Sequence, residues 1–268
     1  MKTSKTMILA VAALLACACT PRFVIVHTND THSHLDPVRT GSRAGRGGII
    51  ERAAIVDSIR KAEGESRVLL LHAGDWNQGT TYYTELGGRM EVNVVNAMRY
   101  DCIALGNHEF DNGIEDLTER VRDVECPIVC ANLDLSSFEL GNYVKPYAIL
   151  EKGGVKIGII GLICDLTSVV SKMSSSRVPQ EEPAGVLNRY AEKLRSEEGC
   201  GYIIALTHVG FDEDLRIAAE SRGVDLFVGG HSHTVIDDIR YVKNLDGKKV
   251  GVVTDGEWGL ELAELKVY

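Results

Sequence analysis

Gly106-Asn107-His108-Glu109-Phe110-Asp111 follows directly on Cys102-Ile103-Ala104-Leu105, a short apolar run bounded by Asp101 and Gly106. The run reads as a buried strand and the following stretch as the turn that ends it. In open α/β sheets, ligands collect at the carboxyl ends of strands, so a turn carrying Asn, His and Asp at that end is a candidate site. Asn107 offers a carbonyl oxygen to a cation, and His108 titrates near neutral pH. Asp111 stands where it can hold the His108 ring in one tautomer. Taken alone, the stretch reads equally well as a capped turn before a helix at about 113–125, with Asp111 or Asn112 as the cap.

The other strand ends decide between the two. Phe23 to Val26 runs into Asn29-Asp30-Thr31-His32, in which Asp30 and His32 share one face, two residues apart. His34 continues that alternation in an outer role, and His27 points the other way as a structural residue. Val68 to Leu71 is a continuous apolar strand, the pattern of a sheet covered on both faces, and it leads into Gly74-Asp75. Gly74 permits the sharp turn that aims Asp75 inward, while His72 reads as a satisfied core histidine. Tyr202 to Leu206 delivers His208, and Val224 to Val228 delivers His231 and His233. Asn132 follows a further strand near Ile128 and is open as a residue facing the site.

Between these strands, helices are expected at about 49–62, 88–100, 113–125, 180–197 and 213–221. Gly153-Gly154 separates two strands as a hairpin, and the chain closes in strands at 250–253 and 259–267. Residues 37–48 carry Arg39, Arg43 and Arg46 among glycines and prolines. They read as a solvated loop, although the arginines are also able to meet a phosphate. Five donor clusters at five strand ends suit two cations bridged by one carboxylate. The donors are N and O with no thiolate, which favours Mn²⁺, Zn²⁺, Fe or Co²⁺.

Composition sets outer bounds. With 44% hydrophobic and 25% charged residues, the 268-residue chain is ordinary for a globular domain. The charge of −9, without any basic stripe, argues against a nucleic-acid scaffold. Residues 1–16, with Lys2 and Lys5 before an apolar run from Met7 to Ala16, read as a secretory signal. Leu14-Leu15-Ala16-Cys17 resembles the bacterial lipoprotein cleavage box, with Cys17 as the acylated residue. Residues 1–19 are thus expected to be a signal and anchor region and 20–268 one domain, periplasmic or cell-surface and held to a membrane by lipid alone. The remaining cysteines, at 102, 126, 130, 164 and 200, are odd in number and most of them read as buried thiols, not a disulfide framework.

As an ordered set, Asp30 with His32, Asp75, Asn107 with His108, His208, and His231 with His233 resembles the calcineurin-like metallophosphoesterases. The openings Thr28-Asn29-Asp30-Thr31-His32 and Gly106 to Asp111 narrow the resemblance to the catalytic half of bacterial 5'-nucleotidases and UDP-sugar hydrolases. That resemblance implies an α/β fold, a four-layer sandwich of two mixed sheets flanked by helices. It implies one metal on Asp30, His32 and His233, a second on Asn107, His208 and His231, and Asp75 bridging both. Asn107, His108 and His231 would meet the substrate phosphate, and His108 would be the catalytic histidine, oriented by Asp111. The implied reaction is in-line attack of a metal-bridging hydroxide on a nucleotide phosphomonoester. UDP-sugar diphosphatase or 2',3'-cyclic nucleotide phosphodiesterase activity is the alternative within catalysis. The chain ends where the catalytic half of two-domain nucleotidases ends. A separate polypeptide is therefore expected to supply nucleotide recognition, or else the domain acts alone with looser specificity. In a third reading the chain is a metal-binding subunit that works only with such a partner.

Overall fold

A computed structural model describes residues 20–170 and 178–268. Cys17 and the expected signal segment lie outside the described residues. Among the described residues, no helix is long and apolar enough to cross a membrane.

The continuous apolar runs become strands buried on both faces. In β1 (Phe23–Thr28), Phe23 and Ile25 face one core while Val24 and Val26 face another, so no polar position interrupts the run. The same division holds in β2 (Val68–His72) and β3 (Cys102–Ala104). With β4 (Ile128–Val129), β5 (Val144–Lys145) and β12 (Ala263–Val267), these form a six-stranded sheet in the order β12-β1-β2-β3-β4-β5. It is parallel apart from β12, which pairs antiparallel with β1.

The second six-stranded sheet runs β10-β11-β9-β8-β7-β6, from β6 (Tyr147–Lys152), β7 (Val155–Ile163), β8 (Tyr202–His208), β9 (Leu226–Val228), β10 (Arg240–Lys243) and β11 (Lys249–Val253). Its two outer pairs are antiparallel and its centre parallel. Ile157, Ile159, Ile204, Leu206 and Val228 pack across the middle onto Phe23, Ile25, Leu69 and Leu71.

Helices cover the two outer faces. On the first sheet lie α1 (Ile49–Glu63), α3 (Arg89–Met98) and α4 (Ile114–Val121), through Val56, Val92, Val95, Leu117 and Val121. The short α2 (Thr81–Leu86) precedes α3, and α5 (Leu166–Val169) follows β7. On the second sheet lie α6 (Pro183–Ser196) and α7 (Phe211–Glu220), through Leu187, Ala191, Leu194, Ile217 and Ala218. The result is helix, sheet, sheet, helix. Parallel strands of both sheets point their carboxyl ends to one edge, and the chemistry collects there.

Several local expectations shift. Residues 113–125 shorten to Ile114–Val121, capped by Gly113 and not by Asp111 or Asn112. Asn112 Nδ2 instead donates to the Tyr83 hydroxyl at 3.0 Å. The last strand begins at Ala263, not 259, because Trp258 at φ 62° and Gly259 at φ 61° turn the backbone out of extended geometry. All five cysteines outside the signal region are free, Cys102, Cys130 and Cys200 buried and Cys126 and Cys164 half-buried.

Candidate metal centre

The five strand ends converge. Donor atoms of Asp30, His32 and His233 lie within 4.8 Å of one another, and so do those of Asp75, His208 and His231. A third such group, His32, Asp75 and His108, joins the two. Oδ2 of Asp75 stands 3.0 Å from Nε2 of His208 and 3.9 Å from Nε2 of His32, between the two clusters. His233 Nε2 is 3.4 Å from Asp30 Oδ1 and 3.0 Å from His32 Nε2.

Asn107 is buried at the end of β3, in the same corner, and the next backbone N–H, that of His108, donates to Asp75 Oδ1 at 2.9 Å. His108 itself is half-exposed. Its Nδ1 lies 2.8 Å from Asp111 Oδ2, which leaves Nε2 for a ligand.

The backbone at these positions is unusual. Asp30, His32, Asp75, His231 and His233 all have φ between 45° and 81°, in the left-handed region. Side chains rarely adopt it, and strain of about 1–3 kcal/mol per residue persists only where the surroundings impose it. Asp75 owes its placement to two glycines. A β-carbon at Gly106 would lie 2.2 Å from Asp75 Oδ1, and one at Gly74 would lie 2.6 Å from Nδ1 of His208.

Residues outside the predicted set hold the donors in place. Glu109 is fully buried. Oε2 accepts from the N–H groups of Asp75 and Gly106, and Oε1 from those of Trp76 and Asn77, so one carboxylate gathers two strand ends. Glu257 Oε2 lies 2.9 Å from Nδ1 of His233. Ala73 offers its carbonyl to Nδ1 of His208 at 2.7 Å. Glu109 and Glu257 stand in the sequence without any periodic signal. A Glu inside Asn-His-Glu-Phe-Asp was the one available hint.

His72 Nε2 meets Thr31 Oγ1 at 2.9 Å in the core, and His27 Nδ1 lies 3.1 Å from Asp255. His34 stacks face to face on Trp258, centroids 4.3 Å apart. Asn132 does not face the site. Its amide group bonds both the N–H and the C=O of Ile163, tying β4 to β7. Arg39, Arg43 and Arg46 pair with Asp36, Glu257 and Glu261, so the loop arginines are engaged by carboxylates.

Electrostatics favour a cation here. Burial opposes charge on His208, but Asp75 and Asp30 outweigh it and push its pKa up to about 10. Burial opposes ionisation of Asp75 as well, yet His208 holds its carboxyl well below the usual range. His32 and His231 are pushed down by burial and stay neutral, as metal ligands must. With Nδ1 donating to Ala73, Nε2 of His208 is the nitrogen turned to the carboxylates, buried and 3.0 Å from Asp75 Oδ2. A divalent ion on that nitrogen would take the place of a proton, so this donor set fits a metal.

The family model of the calcineurin-like phosphoesterases matches residues 23–235. The chain belongs to that family. The chain is 38% identical to the human 5'-nucleotidase over 98% of its own length and 49% of the relative's. In fold it is similar to a 5'-nucleotidase precursor from Thermus thermophilus (TM-score 0.85, 35% identity, 92% of this chain and 51% of that one). It is also similar to the NAD nucleotidase of Haemophilus influenzae (TM-score 0.81, 30% identity, 91% and 52%). The chain spans about half the length of these relatives.

Proposed function

We propose that the chain is a dinuclear-metal phosphohydrolase that acts on nucleotide phosphomonoesters outside the cytoplasm. Asp30, His32 and His233 would hold one divalent ion and Asn107, His208 and His231 the other, with Asp75 shared. The observation that carries this reading is the position of one oxygen, Asp75 Oδ2, between His208 of one donor group and His32 of the other. When bound, the ions would supply positive charge for the phosphoryl oxygens and lower the pKa of the attacking water towards neutrality.

The protein's own groups do the rest. His108, raised in pKa first by its hydrogen bond to Asp111, keeps a proton near neutral pH and gives it to the leaving oxygen. The Asn107 amide donates to a phosphoryl oxygen, and Asp75 fixes the turn by accepting the His108 N–H. Nucleotides as the substrate class, and 5'-monoesters within it, rest on the names of the relatives. Export, with lipid attachment through Cys17, rests on the leader-like segment before it.

Likeness to an NAD nucleotidase favours a second reading, in which a nucleotide diphosphate bond is cut. The purified chain with Mn²⁺, assayed for phosphate release from 5'-AMP and an aryl phosphate, for UMP from UDP-glucose and for the ring-opened monophosphate from a 2',3'-cyclic nucleotide, separates the two. Turnover of 5'-AMP at least tenfold above UDP-glucose is expected. Metal-loaded protein inert on every substrate would sink the hydrolase reading and leave a metal-binding subunit.

A further inference from the structure

The two donor groups are braced differently. In the Asp75, His208 and His231 group, the orienting contact on His208 Nδ1 comes from a backbone carbonyl, that of Ala73. In the Asp30, His32 and His233 group it comes from a side chain, Glu257, on a segment far along the chain. That segment is fixed against the first strand end. The Trp258 N–H donates to the Asp30 carbonyl at 2.7 Å, and its ring lies on His34. Trp258 adopts φ 62°, which turns the preceding Glu257 towards the site. The other Glu257 oxygen takes Nη1 of Arg43 at 3.0 Å, so the carboxylate is gripped from behind.

His233 is the most exposed of these imidazoles and rotates freely unless something holds it; its side chain is 38% exposed. A carboxylate on Nδ1 fixes the tautomer and the ring plane, leaving the lone pair of Nε2 directed at Asp30 and His32. We propose that Glu257 is a positioning residue that sets the metal affinity of the Asp30, His32 and His233 half, and of that half alone. This inference rests on the dinuclear reading above.

Full-length chain stripped of metal and titrated with Mn²⁺ by calorimetry, with bound metal per chain counted after desalting, tests it. Wild type should take up two ions. Glu257→Ala should weaken one site by roughly 10- to 100-fold and leave the other within about twofold. Glu257→Gln, which keeps an acceptor oxygen, should recover part of the loss. The melting temperature of the metal-free variants should match wild type, since a merely structural role would lower it before any metal is added. Two ions in wild type with both sites equally weakened, or neither, overturns this inference only. One ion or none in wild type overturns the dinuclear reading and this inference with it.

Discussion

Nδ1 of His108 and Oδ2 of Asp111 stand 2.8 Å apart, three residues from each other across one turn of 3-10 helix. The contact favours the doubly protonated ring, and in the proposed reaction the proton on Nε2 goes to the leaving oxygen. His108→Ala should lower turnover of 5'-AMP by roughly 10²- to 10⁴-fold with metal content unchanged. Asp111→Asn should act mainly through pH. His108 has a raised pKa, so its acid form persists above the ordinary histidine range and is lost as pH rises through the raised value. Removing the largest cause of that raise moves the alkaline limb of the kcat profile towards lower pH. An unmoved limb in Asp111→Asn would remove His108 as the titrating acid.

Metal removal should destabilise as well as inactivate. At free metal about 100 times Kd, each ion stabilises the folded chain by about 2.7 kcal/mol, which is about 5–10 °C in melting temperature at this size. Because Asp75 stands between both donor groups, Asp75→Ala should abolish the metal-dependent rise altogether, whereas His231→Ala should remove only part of it. Scanning calorimetry with chelator or with Mn²⁺ gives the comparison. A full rise in Asp75→Ala would show that Asp75 holds neither ion.

Gly106 is a packing residue with a catalytic consequence. The β-carbon of Gly106→Ala would sit 2.2 Å from Asp75 Oδ1 and 2.4 Å from the Asp75 backbone nitrogen, where only movement of the carboxylate or of the strand end makes room. Overpacking of this kind costs about 1–3 kcal/mol, and metal affinity should fall at least about tenfold, the size expected when a ligand loses its support. Gly185→Ala is the control. It lies in the first turn of α6, where its β-carbon would come no closer than 3.4 Å to the flexible end of Glu182, so alanine there should leave stability close to wild type. Denaturant unfolding and metal titration of the two variants should diverge in both readouts.

The sequence made the centre of the molecule legible because its strands are buried on both faces. A run such as Val68-Leu69-Leu70-Leu71 has no solvent side to encode, and the first polar residue after it marks where it ends. The seven proposed ligands sit at such ends. What escaped reading lacks that contrast. Strand β10 is largely exposed and β5 is two residues long, so neither carries an apolar run, and α2 is little more than one turn. Glu109 and Glu257 act through backbone amides and one imidazole brought in from elsewhere, and no spacing within a single sequence announces such contacts. His27 and His72 read correctly as structural, and their partners show why: His27 Nδ1 lies against Asp255 and His72 Nε2 against Thr31.

His72 also makes a prediction about acid. It is fully buried, and burial first, with the Arg52 charge second, pushes its pKa down to about 3. In the unfolded chain the same ring takes a proton near 6.5. The neutral form is therefore the one the fold accepts. Its contribution to stability is complete above pH 6.5 and is lost as pH falls from 6.5 through about 3, at about 1.4 kcal/mol per pH unit. His27, lowered by burial in the same direction, adds to the slope. Metal release in acid would mask the effect, so the measurement belongs in the metal-free chain. Unfolding free energy of wild type between pH 6 and 4 should decline more steeply than that of His72→Gln, by about one proton's worth of slope. Gln retains an acceptor for Thr31 and does not titrate, so the variant begins less stable at pH 7 and converges on wild type as the solution is acidified. Parallel curves would mean that His72 takes up its proton in the fold, next to Arg52, as readily as in the unfolded chain, and the burial argument would then be wrong.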